Sequence, residues 1–263
     1  MDSSGSKSTS YVLYKNNTFS LVENKVIAEN HACIYLNGQE LVTMLCSPGN
    51  LEDLATGFLR SEEIVTSIDE IAIMSLSANK SCIDVWLKET NKKIPARRII
   101  TGGCGSSITF ADLLKERPAL PMGMTIEAAQ VDYLMKQLLR AANLYNEVGA
   151  AHTTTLNNAT TCIFVAEDIG QDNTINRLWG QALRQGTPTE GMILVCTGRV
   201  TSELIEKAAK MGVPIVISST SPTSLAIELA NTWKITVIGY ARENSFRIYS
   251  VPERVIPSFS STP

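Results

Sequence analysis

The chain has 263 residues, a net charge of −3 and 44% hydrophobic residues, enough for one large domain or two modest ones with a full core. That charge excludes a broad basic nucleic-acid surface, and no apolar run approaches the roughly 20 residues of a membrane span. Met1 to Ser10 is polar and serine-rich without an apolar segment, so residues 1–10 read as a disordered tail and not as a secretory signal. The expected compartment is the cytoplasm, where thiols stay reduced. That argues against a disulfide framework for the six cysteines and makes the sequons at Asn16 and Asn158 chance matches.

In chain order, Tyr11–Tyr14, His31–Leu36 and Gln39–Cys46 read as strands, with Asn37-Gly38 as a hairpin turn between the last two. Pro48-Gly49-Asn50 ends the sheet, and Asn50 is placed to cap a helix with Glu52 and Asp53 in its first turn. Leu51, Leu54 and Phe58 give that helix a buried stripe. Ile71–Leu76 and Ser81–Leu87 read as a second hairpin. Arg97–Ile100 then leads into Thr101-Gly102-Gly103-Cys104-Gly105-Ser106-Ser107. Glycine leaves its neighbours unshielded, so Cys104 is expected on an accessible loop. Cys33, Cys46, Cys82, Cys162 and Cys196 lie in or beside apolar runs, where free cysteine behaves as a small buried hydrophobe.

Pro118 and Pro121 mark a boundary, dividing the chain into a strand-rich α+β domain over 11–118 and a second domain over 119–263. Thr125 is placed to cap a helix running to about Asn146, with Val131, Leu134, Leu138, Ala142 and Tyr145 on one face. Strands are expected at His152–Leu156, Thr161–Ala166, Met192–Cys196, Pro214–Ser218, Ile235–Tyr240 and Phe246–Val251. Helices are expected at about Asn173 to Arg184, from Ser202 to Gly212, and at Thr223–Asn231. Strands separated by helices of this length imply an α/β sheet covered on both faces.

In open α/β sheets ligands bind beyond the carboxyl ends of the strands. Glu167-Asp168-Ile169-Gly170, Thr197-Gly198-Arg199, Ser218 to Thr223, and Arg242 fall at four such ends. Three of these runs lead into helix N-termini, which favour anions, so a phosphate or pyrophosphate is the natural guest. Taken singly, Asp168, Ser202 and Thr223 are accounted for as helix caps; the coincidence of four strand ends points to a shared pocket. There is no P-loop, no complete dinucleotide fingerprint and no Cys-x-x-Cys, and His31 and His152 are the only imidazoles, which argues against a zinc site. His152 reads equally as a core histidine or a functional one. Trp86, Trp179 and Trp233 read as packing residues.

Several runs together carry a family resemblance. They are Asn37-Gly38, Leu51 to Leu59 with Glu62-Glu63-Ile64-Val65, Gly149 to His152, Glu167 to Gly170 with Asn173, Thr197 to Glu203, Ser218 to Ala230, and Gly239 to Arg242. In this order they resemble the formate dehydrogenase accessory proteins, the FdhD/NarQ family, from about residue 30 to residue 255. The resemblance implies a cytidine-deaminase-like three-layer α/β/α fold for the second domain, without the deaminase zinc ligands. It implies a sulfurtransferase that accepts persulfide sulfur from a cysteine desulfurase. The sulfur passes to the molybdenum or tungsten bis-guanine-dinucleotide pterin cofactor that formate dehydrogenase needs. Cys104 matches the sulfur-bearing position. His152, Asp168, Asn173, Arg199, Ser202, Ser219, Thr220, Thr223 and Arg242 are the expected contacts to the cofactor, bound as substrate, and no resident metal is expected.

The sequence departs from the family pattern at three places. Ser107 stands where the family's second loop cysteine is usual. Gln171-Asp172-Asn173 replaces the usual Arg-His-Asn, and Asn176-Arg177 the usual Asp-Lys. Arg97 and Arg98 are the nearest cations in sequence to favour the Cys104 thiolate, and read equally as solvated strand charges. The expected partners are the desulfurase, formate dehydrogenase and a second copy of the chain in a symmetric homodimer, with no nucleic acid and no membrane. A cofactor-binding chaperone without chemistry is the competing reading, supported by Ser107. A nucleotide-processing hydrolase is a third, lacking a metal site or a recognisable base.

Overall fold

The computed structural model describes residues 5–90, the strand 98–100 and residues 117–258. Cys104, Ser107 and Arg97 lie outside the described residues, as does the side chain of Arg98.

The chain opens with a hairpin of β1 (Ser6–Lys15) and β2 (Thr18–Ile27), turned by Asn16 and Asn17 at φ 52° and 60°. Asparagine tolerates the left-handed region that such a two-residue turn requires at both positions. Residues 6–10, expected in a disordered tail, are therefore strand, paired from Ser6↔Ile27 to Ser10↔Glu23. β2 escaped the pattern reading because nearly all of its residues are exposed, which leaves no apolar alternation.

Next come β3 (Asn30–Leu36) and β4 (Gln39–Cys46), joined at Asn37-Gly38 with φ 48° and 79°, then α1 (Leu51–Ser61), β5 (Ile71–Leu76), β6 (Cys82–Leu87) and β7 (Arg98–Ile100). The strands form one sheet in the order β5-β6-β3-β4-β7. Ile34, Leu36, Val42, Met44, Ile83 and Val85 line its inner face, and α1 packs there through Leu51, Leu54 and Phe58. Asn50 precedes α1 in the left-handed region, and its side chain makes no capping bond.

The second half begins with β8 (Ile126–Glu127), α2 (Ala128–Ala141) and α3 (Asn143–Val148). One helix was expected there; the backbone breaks at Ala142, with φ −77° and ψ 66°. The cap is Glu127, in a reciprocal capping box with Gln130, and not Thr125. Val131, Leu134, Leu138 and Ala142 are buried, whereas Tyr145, beyond the break, is exposed.

β9 (His152–Asn157), β10 (Cys162–Asp168), α4 (Gln171–Arg184), β11 (Ile193–Cys196), α5 (Ser202–Met211), β12 (Ile215–Ser218), α6 (Ser224–Thr232), β13 (Thr236–Arg242) and β14 (Ser245–Ser250) follow. β15 (Val255–Ile256) pairs in parallel with β8. The large sheet runs β10-β9-β11-β12-β13-β14, parallel at β11-β12-β13 and antiparallel elsewhere. Alternation along the strands sorts the two faces. Ile193, Val195, Ile215, Ile217 and Ile238 meet α2, while Leu194, Cys196, Val216 and Val237 share a core with α4, α5 and α6. The sheet is thus covered on both faces, as the helix spacing predicts.

The two sheets are joined by α1 against α4. A Cβ built on Gly57 would fall on the carbonyl of Asn176 and 2.9 Å from the nitrogen of Gly180. One on Gly180 would fall on the carbonyl of Asp53 and 2.7 Å from the nitrogen of Gly57. The helices approach backbone to backbone, which only the missing side chains permit. Trp179 and Trp233 are buried, but Trp86 is 40% exposed on the outer face of the small sheet, correcting its assignment to packing.

Candidate functional site

β9 runs antiparallel to both β10 and β11, so its amino end lies beside their carboxyl ends. His152 pairs with Asp168, and Thr154 with Cys196. With the ends of β12 and β13 this makes one polar edge, and α4, α5 and α6 all start from it.

His152 is half-buried there. Burial lowers its pKa below the ordinary imidazole value, against the carboxylate of Asp168 and with the charge of Arg199. Gly198 passes close above it: a Cβ at 198 would overlap the amide of Gln171 and lie 3.0 Å from His152 Nδ1. Ser218 Oγ donates to the Gly198 carbonyl at 2.6 Å and accepts from Thr220 N–H at 3.0 Å; Ser219 Oγ donates to the Thr197 carbonyl at 3.0 Å. The loops after β11 and β12 are also laced by backbone bonds, Val200 N–H to Ser221 O at 3.2 Å and Thr223 N–H to Val200 O at 3.0 Å. The starts of α5 and α6 therefore sit side by side. Thr201 and Thr223 cap them through bonds from Leu204 N–H and Ala226 N–H, so Ser202 is the first helical residue and not the cap.

Tyr240 closes the far end of this edge. It donates its N–H to the Thr220 carbonyl at 2.9 Å and stands at φ 51°, an unusual conformation for an aromatic residue. Its ring lies under the guanidinium of Arg247, 4.3 Å from the centroid. Arg199 and Arg242 are exposed at the ends of β11 and β13. The edge thus gathers His152, Arg199, Ser202, Ser219, Thr220, Thr223 and Arg242. Such a set of hydroxyls, helix N-termini and arginines suits an anionic group.

Asp168 and Asn173 are drawn elsewhere. Asp168 is fully buried, and its Oδ2 accepts from Arg177 Nε at 2.9 Å, Arg177 Nη2 at 2.8 Å and Ser47 N–H at 3.1 Å. Its Oδ1 accepts from Gly170 N–H at 3.0 Å and Asn173 Nδ2 at 2.8 Å. Arg177 also donates to the carbonyls of Ser47, Gly49 and Asn50, and Asn173 to that of Leu45. This cluster fastens α4 to the turn between β4 and α1. Its anchors are Ser47, which the sequence reading did not single out, and Arg177, which it named only as a departure from the family pattern. The available signal was the departure from the family at Asn176-Arg177. The departures at 171 and 172 are used too: Gln171 donates to Cys196 Sγ at 3.4 Å, and Asp172 holds Lys207 Nζ at 2.6 and 2.7 Å.

A cavity of about 850 Å³ borders that cluster at Arg177, lined also by Asn50, Asp53, Glu147, Glu167 and Gln181. It contains none of the edge hydroxyls. Among the described residues there is no group of three or more His, Cys, Asp or Glu side chains placed to hold a metal ion, and no helix long and apolar enough to cross a membrane.

The described cysteines divide into two kinds. Cys46 and Cys196 are buried, and burial pushes their thiols up to about 12 and about 11. Such thiols carry almost no thiolate at neutral pH. Cys33, Cys82 and Cys162 are only half-buried, which corrects the expectation that all five are core residues.

The FdhD/NarQ family model matches residues 27–256. The sulfur carrier protein FdhD of Staphylococcus aureus strain MRSA252 is 33% identical over 256 residues, covering 94% of this chain and 95% of its own. Its counterpart in strain bovine RF122 / ET3-1 is 32% identical over 253 residues, with the same shares covered. Among solved structures, a protein from Desulfotalea psychrophila named as a formate dehydrogenase accessory protein superposes with a TM-score of 0.82 at 23% identity, over 96% of this chain and all of that one.

Proposed function

The chain belongs to the FdhD/NarQ family, and from that membership we propose that it carries sulfur on Cys104 from a cysteine desulfurase to the pterin cofactor of formate dehydrogenase. The observation that carries this reading is the match to sulfur carrier proteins over nearly the whole chain. Cys104 falls within the matched residues. Cys46 and Cys196, buried and with raised thiols, are poorly suited to the role, because sulfur exchange needs a thiolate.

In the loading step the Cys104 thiolate attacks the outer sulfur of a desulfurase persulfide. A new S–S bond forms at Cys104, the donor S–S bond breaks, and the donor cysteine leaves as its thiolate. Delivery hands the terminal sulfur to the metal of a molybdenum or tungsten bis-guanine-dinucleotide pterin and returns Cys104 as the thiolate. The accepting metal, as substrate, would supply the two electrons that take the sulfane sulfur to sulfide. The polar edge at His152, Arg199, Ser219, Thr220 and Arg242 is read as the seat of the guanine nucleotide arms, with phosphate toward the α5 and α6 N-termini. In this reading the second half is the cytidine-deaminase-like unit, the working compartment is the cytoplasm and the protein is a homodimer.

Loading with a cysteine desulfurase and cysteine, followed by non-reducing mass analysis, tests the assignment. One additional sulfur on the Cys104 peptide is expected, and none in Cys104→Ser. With Ser107 in place of a second thiol, the persulfide is expected to persist, and Ser107→Cys to shorten its lifetime. Calorimetry with GDP against ADP tests the edge; equal or absent binding removes the guanine assignment. Ser107 also favours the chaperone reading, in which the cofactor binds and no sulfur is carried. Guanine nucleotide binding without any loading on Cys104 would select it.

A further inference from the structure

The small sheet holds two thiols that the sulfur-carrier reading does not use. Cys33 on β3 and Cys82 on β6 are register partners in a parallel strand pair, and Cys33 N–H donates to Ser81 O at 2.9 Å. Their neighbours Ile34 and Ile83 face the core, so by strand alternation both cysteines face the other way, and both are half-exposed. Thr43 on β4 is the register partner of Cys33 on its other side, and burial, together with the neighbouring Cys82, raises the Cys33 thiol above its ordinary pKa. Strand spacing sets partner Cα atoms about 4.8 Å apart, inside the roughly 4.4–6.8 Å window of disulfides. Among the described residues no other two cysteines are strand register partners.

We propose that Cys33 and Cys82 are a redox pair, which a low-molecular-weight disulfide closes into a cross-strand disulfide on the outer face of the small sheet. One thiolate attacks the small disulfide, forming a mixed disulfide and releasing one small thiol. The second thiolate attacks the protein sulfur of that adduct, forming the Cys33–Cys82 bond and releasing the second small thiol. Two protein thiols are oxidised, one external disulfide is reduced, and the two protons pass to the released thiols or to water. β3 and β6 are both interior strands, flanked by β4 and β5, so the register that pairs the two cysteines is fixed by neighbours on either side. In the reduced state expected of cytoplasm the pair is open. Under disulfide stress it closes and withdraws two half-exposed thiols from further sulfur exchange. The pair stands apart from Cys104 and from the strand edge, and its chemistry holds whichever reading of Cys104 is right.

The test treats the folded full-length chain, and separately its Cys104→Ser variant, with oxidised glutathione. Both are then digested without reduction and analysed by mass. Expected is a cross-linked peptide pair joining Cys33 to Cys82, two hydrogens lighter than the free peptides and released by dithiothreitol. Cys33→Ser and Cys82→Ser should each stop at one glutathione on the remaining thiol. The proposal is overturned if the native chain carries glutathione separately on both cysteines, leaves both unmodified, or bridges either one to a different cysteine. The native-chain cross-link decides the matter even if a serine variant folds poorly.

Discussion

The cluster joining the two sheets and the polar edge of the large sheet draw on the same residue types for opposite purposes. At the join, Asp168, Asn173, Arg177 and Ser47 are buried and bonded to one another, and both Asp168 carboxylate oxygens are engaged by protein donors. At the edge, Ser219, Thr220 and His152 are half-buried, Arg199 and Arg242 are exposed, and the Ser219 hydroxyl donates to the loop carbonyl of Thr197. A buried charge without its partner is strongly destabilising, whereas a partly solvated polar group is not. Position in the fold, and not residue type, separates the buried fastening from the partly exposed edge proposed to bind.

Four changes test that division, beginning with the largest effect. Arg177→Met leaves the Asp168 carboxylate buried without its cation and should cost about 3–5 kcal/mol of unfolding free energy, read by urea denaturation. Adding Asp168→Asn, which removes the orphaned charge, should recover part of that loss; no recovery would mean that the pair is not the anchor. Gly180→Ala drives a methyl into the α1 backbone and should cost about 3 kcal/mol, because neither helix backbone can give way. An unchanged denaturation midpoint would contradict the backbone-to-backbone approach of α1 and α4.

Changes at the edge should act on binding before stability. Gly198→Ala meets the end of the Gln171 side chain, which can swing aside, so its stability cost should be about 1 kcal/mol. Its affinity for GDP should fall about tenfold, a difference of about 1.4 kcal/mol by calorimetry. A loss of several kcal/mol of stability with GDP affinity unchanged would reverse the roles of the two regions. The smallest effect is at His152. Its folded pKa lies below its unfolded value near 6.5, so the unfolded chain binds more protons in the interval between them. The His152 contribution is therefore fully present above about pH 6.5 and is lost as pH falls toward the folded pKa, with a slope of at most about 1.4 kcal/mol per pH unit. His152→Gln should flatten that part of the stability profile between pH 5 and 7, and an identical slope in both proteins would show that the imidazole is not desolvated.

Much of this molecule is legible locally. Asn37-Gly38 fixes its hairpin because both positions need positive φ, and the alternations in Ile193–Cys196 and Ile215–Ser218 sort core faces because side chains on a strand point to opposite sides. The helix stripe Leu51, Leu54 and Phe58 is buried as its spacing predicts. The gathering of His152, Arg199, Ser219 and Thr220 at one sheet edge follows from strand order and the strand-end rule.

What the tertiary structure alone decided is which polar residues stay at that edge. Asp168 looks like a site carboxylate in sequence, and only the approach of Ser47 and Arg177, 121 residues before it and nine after it, makes it a fastening. Gly57 and Gly180 carry no local signal, since a helical glycine matters only once another backbone lies against it. β2 has no apolar period because its residues are exposed, and its pairing with β1 comes from the asparagine turn between them. Cys33 and Cys82 look like core cysteines singly. Their register across β3 and β6, set by strand pairing over a 49-residue separation, makes them cross-strand neighbours. Sequence pattern reports which face of its own element a side chain takes; only the packed chain determines what stands opposite.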